Sequence, residues 1–99
     1  MKQLQIKENE LKIVRDIVKK HLPDTPVWAF GSRVKGTAQQ YSDLDLALMT
    51  IQPLSFIQLA ELEQDFSDSD LTWQVDLLDW ATTSETFKKI VSANYVVIQ

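Results

Sequence analysis

A chain of 99 residues can bury one core and leaves no room for a second domain, so residues 1–99 are read as a single unit whose cleft stays open on one side. Hydrophobic residues at 44% and charged residues at 24% exclude a disordered segment, and a net charge of −4 argues against binding a nucleic-acid backbone. The absence of cysteine excludes disulfides and thiolate metal sites, which leaves hard cations held by oxygen ligands.

Between Ile6 and Leu22 the apolar residues Leu11, Val14 and Val18, with Ile13 and Ile17 beside them, recur at helical spacing and predict an amphipathic first helix. Pro23 and Pro26 stop it, because proline lacks the amide donor and restricts the residue before it. Val27 to Phe30 reads as a short buried strand ended by Gly31. Ser32 is then placed as the N-cap of a short helix starting at Arg33, which Gly36 weakens. From Asp43 to Met49 the residues alternate: Leu44, Leu46 and Leu48 take the core face, and Asp43, Asp45 and Ala47 the wet one. Pro53 opens a third helix with Phe56, Leu59, Ala60 and Leu62 as its apolar stripe. Leu71 to Trp80 is the next strand, in which period two puts Asp76 opposite Val75 and Leu77. Thr82 to Val91 reads as a helix with Thr83 or Ser84 near its cap, and Tyr95 to Ile98 as an edge strand. These elements predict an α/β fold with a small mixed sheet of three to four strands flanked by helices. No stretch is long and apolar enough to span a membrane, and the Met1-Lys2-Gln3 start lacks a signal peptide's apolar run, so a cytoplasmic protein is expected.

Asp43 and Asp45, one residue apart on a strand, project from the same face roughly 7 Å apart at the backbone and can share metal ions. Magnesium takes only one or two protein carboxylates and leaves its other positions to water and phosphate, a minimum this pair supplies. On that spacing alone an ordinary solvent-facing strand is the commoner explanation. The preceding segment shifts the balance, because a hydrophobic strand running into Gly31-Ser32 and a helix start offers close backbone approach, a hydroxyl and free amides to an anion, with Arg33 and Lys35 adding positive charge.

Gly31-Ser32, ten residues, then Asp43-Leu44-Asp45 matches the signature of the DNA polymerase β-like nucleotidyltransferase superfamily. The stretch Trp28 to Ala38, followed by Tyr41 to Leu46, closely resembles its minimal branch, the MNT proteins encoded beside HEPN-domain partners, and the resemblance covers most of the chain. It implies a nucleotidyltransferase-like (polymerase β-type) core. It implies that Gly31 and Ser32 bind the triphosphate of ATP with Arg33 as a charge clamp, and that Asp43 and Asp45 hold two Mg2+ ions. Asp76, in Gln74-Val75-Asp76-Leu77-Leu78-Asp79, matches the third carboxylate, which ligates metal or accepts the attacking hydroxyl's proton. The activity implied is transfer of AMP from ATP to a tyrosine hydroxyl of a HEPN ribonuclease toxin, with the chain as its antitoxin in a hetero-oligomer.

The remaining residues carry plainer readings. Asp79 lies on the other side of its strand and is assigned to a strand end or cap. His21 complements a helix dipole. Trp28, Trp73 and Trp80 are core or interface aromatics rather than base-stacking platforms. The acidic run from Glu61 to Asp70 is either a solvated face or a docking surface for a basic toxin. Two other functions stay open: a binding module that silences the HEPN partner by occlusion, and a subunit acting on a small molecule such as an aminoglycoside, for which the expected extra helical domain is absent.

Overall fold

Leucines at every second position make Leu44–Leu48 the centre of the molecule. The computed structural model describes residues 4–99, so the reading of Met1-Lys2-Gln3 falls outside the described residues. This segment, strand β2, follows helix α1 (Glu8–His21), strand β1 (Val27–Phe30) and the one-turn helix α2 (Ser32–Lys35). After it come α3 (Phe56–Ser67), β3 (Val75–Asp79), a 3-10 turn at Trp80–Thr82, α4 (Glu85–Ala93) and β4 (Val96–Val97). The sheet order is β3-β2-β1-β4, with β2 and β3 parallel and the other pairs antiparallel. The mixed α/β architecture with four strands is therefore as the sequence predicts.

Leu44, Leu46 and Leu48 are fully buried on one face, together with Val27 and Ala29 of β1, beneath Val14 and Val18 of α1 and Leu62 and Phe66 of α3. Burying each leucine contributes about 1.5–3 kcal/mol, so this face holds the sheet to the two helices. At one end of the α1–α3 contact, His21 Nε2 lies 2.6 Å from Asp65 Oδ2, and Lys20 Nζ donates to the same oxygen at 3.0 Å. His21 thus pairs with a specific carboxylate as well as standing at a helix C-terminus. His21 and Lys20 hold the Asp65 carboxyl below the usual carboxylate range.

Several boundaries differ from the sequence reading. Helix α3 starts at Phe56 rather than at Pro53, because Ser55 accepts from the Gln58 amide and the Gln58 side chain returns to the Ser55 amide in a capping box. Phe56 consequently sits in the first turn, 87% exposed, and Ala60 is exposed too. The core stripe of α3 is Leu59, Leu62 and Phe66. Strand β3 is shorter than Leu71 to Trp80, since Trp73 is instead buried under the Arg33 guanidinium and Trp80 begins the 3-10 turn. Ala47 shares a face with Asp45, as expected, but is fully buried rather than wet. That face carries Trp28, which stacks on Tyr95 at 4.0 Å and leans on Trp80 at 5.7 Å, and Phe30, which meets Phe87 of α4 edge-on. The end of the face around Asp45 and Asp76 remains uncovered, with Asp76 exposed.

Candidate active site

Strand pairing assembles the site. Parallel register sets Asp45 of β2 directly beside Asp76 of β3, and antiparallel register sets Asp45 opposite Phe30 of β1. Paired residues on neighbouring strands lie about 5 Å apart and share a face. Gly31, which follows Phe30, therefore arrives against the Asp45 side chain. A Cβ built on Gly31 would push the Asp45 carboxylate aside, and the backbone there has φ +81°, so the conformation favours glycine and the close approach leaves Asp45 in place. Asp43 stands just ahead of the first paired residue of β2 and is exposed.

The chain turns at Gly31 straight into α2. Gly31, rather than Ser32, occupies the cap position, and Ser32 is the first helical residue. The Ser32 hydroxyl caps nothing, and the amides of Ser32 and Arg33 are first-turn donors without intrahelical acceptors. Both carbonyl bonds that close the turn, from the Val34 and Lys35 amides, go to Gly31. Gly36 ends the helix with φ +82° in the left-handed region.

The electrostatics of the cluster are self-repelling. Partial burial, then the charges of Asp76 and Asp43, push the Asp45 carboxyl up to about 6, an effect the Lys35 ammonium partly offsets. Among the described residues no three His, Cys, Asp or Glu side chains converge to metal-ligating distance. What the site offers is an all-oxygen donor set, a half-buried carboxylate next to two exposed ones, in which a hard divalent cation would relieve the repulsion. Beside the turn, Phe30, Gly31, Lys35, Phe87, Ile90 and Asn94 line a small recess of about 180 Å3. Phe87 and Ile90 fall within the helix expected over Thr82 to Val91, but nothing local in the sequence ties them to Gly31.

Comparison with known proteins places this geometry. Residues 6–99 match the family described as Polymerase beta, Nucleotidyltransferase. The chain belongs to this nucleotidyltransferase family. It is 59% identical over 97 residues to the probable protein adenylyltransferase MntA of Haemophilus influenzae, a match covering 98% of this chain and 85% of that protein. Among solved structures, it is similar to a toxin–antitoxin crystallised with AMP-PNP, with TM-score 0.77 and 26% identity, covering 90% of this chain and 72% of the other. It also resembles a mutant MntA–HpeT toxin–antitoxin, with TM-score 0.71 and 29% identity over 94% of this chain and 72% of the other.

Within this nucleotidyltransferase the structure brings Gly31, Ser32, Asp43, Asp45 and Asp76 to one end of one sheet face. Arg33 is the exception. Its side chain is 5% exposed, stacks 4.5 Å from the Trp73 ring centre, and donates to the carbonyls of Ser42, Gln5 and Gln40 at 2.9, 2.8 and 3.2 Å. A guanidinium so committed braces the Gly36–Asp43 loop and the Gln5 segment, with its bonds directed at carbonyls of the chain itself. Lys35, exposed and in electrostatic contact with Asp45, is the other cation at the turn among the described residues. Asp79 is structural: its carboxylate accepts from the Leu54 amide at 2.8 Å, the Ala81 amide at 3.3 Å and the Thr50 hydroxyl.

Proposed function

We propose that this nucleotidyltransferase transfers AMP from Mg-ATP to a hydroxyl, a tyrosine's, on a partner HEPN ribonuclease toxin and thereby acts as its antitoxin. The observation that carries the proposal is the register that sets Asp45 beside Asp76 while Gly31 abuts Asp45, so that a phosphate-binding turn and a carboxylate cluster share one end of the sheet. Similarity to MntA and to toxin–antitoxin structures supports the donor, the acceptor class and the hetero-oligomer. No helix among the described residues is long and apolar enough to cross a membrane.

The Gly31-Ser32 turn would hold the triphosphate through the first-turn amides and the Ser32 hydroxyl, with Lys35 opposing phosphate charge. Asp43 and Asp45, with Asp76 alongside, are the residues that would hold magnesium. Bound there, the cation supplies charge neutralisation for the leaving pyrophosphate and acidifies the acceptor hydroxyl. The acceptor oxygen forms its bond to the α-phosphorus, the bond from that phosphorus to the bridging oxygen breaks, and pyrophosphate departs. Asp76, exposed at the rim, takes the hydroxyl proton.

Intact-mass spectrometry of the HEPN partner after incubation with magnesium, ATP and the chain tests this directly. Mass gains in AMP multiples with the native chain, and none with Asp43→Ala/Asp45→Ala, are expected. The competing reading, neutralisation by occlusion, draws on the exposed apolar residues Ile51, Phe56 and Ile57 around the start of α3. A silenced partner of unchanged mass, with the double variant equally effective, would establish that reading instead.

A further inference from the structure

The donor half of the site is built by β1, α2 and β2, and β3 forms the opposite margin as an edge strand. In a parallel ladder alternate residues turn both backbone groups toward one neighbour. The Leu44 amide donates to the Gln74 carbonyl, so Gln74, Asp76 and Leu78 face β2, and the backbone groups of Val75 and Leu77 face outward. At the far end the Asp79 carbonyl is sealed by the Thr82 and Thr83 hydroxyls. The open edge thus spans only Val75 to Leu77, centred on Asp76. It carries no proline or lysine, and its one charged residue, Asp76, belongs to the site itself, while the opposite edge strand, β4, has two residues.

A groove of about 540 Å3 runs along this edge between β3 and α3, lined by Glu63, Phe66, Ser67, Leu71 and Leu77 and continuous with Asp76. We infer that the protein acceptor presents its hydroxyl on an extended segment that adds to the free edge of β3 as a fifth strand, with its neighbouring side chains seated in this groove. The inference rests on the transferase reading above and names how the acceptor is held. Period two makes it specific. The residue paired with Asp76 shares Asp76's face and lies about 5 Å from it, which delivers its hydroxyl to the carboxylates. The residues immediately before and after it point to the other face, over Val75 and Leu77 and toward the mixed polar and apolar lining of Glu63, Ser67 and Phe66. Glu63 on the groove wall and the net charge of −4 favour a segment whose further residues are basic. Main-chain bonding supplies affinity that does not depend on the partner's fold, as in other strand-addition complexes.

The test is amide hydrogen exchange by NMR on the labelled chain, free and bound to the HEPN partner with Mg-AMP-PNP to hold transfer off. Val75 and Leu77 amides should slow by at least about tenfold on binding, while those of Asp76 and Leu78, already in the ladder, change little. Val75→Pro removes one outward donor without touching the ladder, and should lower AMP transfer by about tenfold at unchanged Mg-AMP-PNP affinity. The exchange experiment needs no variant and decides the matter even if Val75→Pro folds poorly. AMP incorporation by the native chain with Val75 and Leu77 still exchanging freely in the complex would overturn the inference and leave the transferase reading intact. Protected edge amides without AMP incorporation would do the reverse.

Discussion

Replacing Asp45 with asparagine should make the metal-free protein more stable while removing its activity. Burial and the neighbouring Asp76 and Asp43 raise the Asp45 carboxyl from its ordinary 3.8 to about 6, so the folded state holds this proton more tightly than the unfolded chain does. Stability from the group is then fully present below the unfolded value and is lost as pH rises through about 6. Unscreened, a rise of that size corresponds to about 3 kcal/mol, and solvent around a half-buried carboxylate reduces it to about 1–2 kcal/mol. An asparagine in its place never ionises and escapes the loss. In EDTA at pH 7.5, Asp45→Asn should therefore melt about 5–10 °C above the native chain by circular dichroism, given a domain of this size. At pH 4 the gap should nearly close. Added magnesium should raise the native melting temperature and leave that of the variant unchanged. A variant no more stable than the native chain at pH 7.5, or a gap that ignores pH, would refute the argument that burial and the neighbouring carboxylates disfavour the charged Asp45 in the folded protein.

Three further tests separate catalytic from structural roles. Gly31→Ala forces a side chain into a positive-φ position, at about 1–2 kcal/mol, and its methyl displaces the Asp45 carboxylate; AMP transfer should fall more than about 100-fold while urea denaturation shows a folded protein. Asp76→Asn should abolish transfer without loss of stability, whereas Asp79→Ala, which strips the Leu54 and Ala81 amides of their acceptor, should cost about 2–3 kcal/mol by urea denaturation. Arg33→Lys cannot reach the Ser42, Gln5 and Gln40 carbonyls together and should cost about 2–4 kcal/mol; unchanged stability with weakened ATP binding, read by calorimetry, would establish Arg33 as a phosphate ligand.

Elements whose signals are local were legible in the amino-acid order. Val27–Phe30 ends at Gly31 because the turn needs a positive φ, and the Leu44–Leu48 alternation writes a buried face and a wet face into β2. Asp43 and Asp45 stand out as candidates through that alternation and through their spacing from Gly31-Ser32, in a chain whose residues 6–99 match the nucleotidyltransferase family. Strand ends were less legible. Leu71 to Gln74 reads as the start of a strand, yet Trp73 leaves the sheet to lie under Arg33, a partner from a distant part of the chain. The same contact bears on Arg33 itself: a cation after a glycine-serine turn reads as a phosphate ligand from the sequence, and its bonds to three carbonyls of the surrounding loops appear only in the fold. Phe56 reads as core by period, but a capping box at Ser55 sets where the helix begins and leaves it outside. The pairing of Asp45 with Asp76, the close approach of Gly31 to the Asp45 carboxylate, and the open edge of β3 exist only once strands far apart in sequence lie side by side. Periodicity fixes which face a residue takes along its own strand, and register between strands, set by packing of the whole sheet, decides which residues meet.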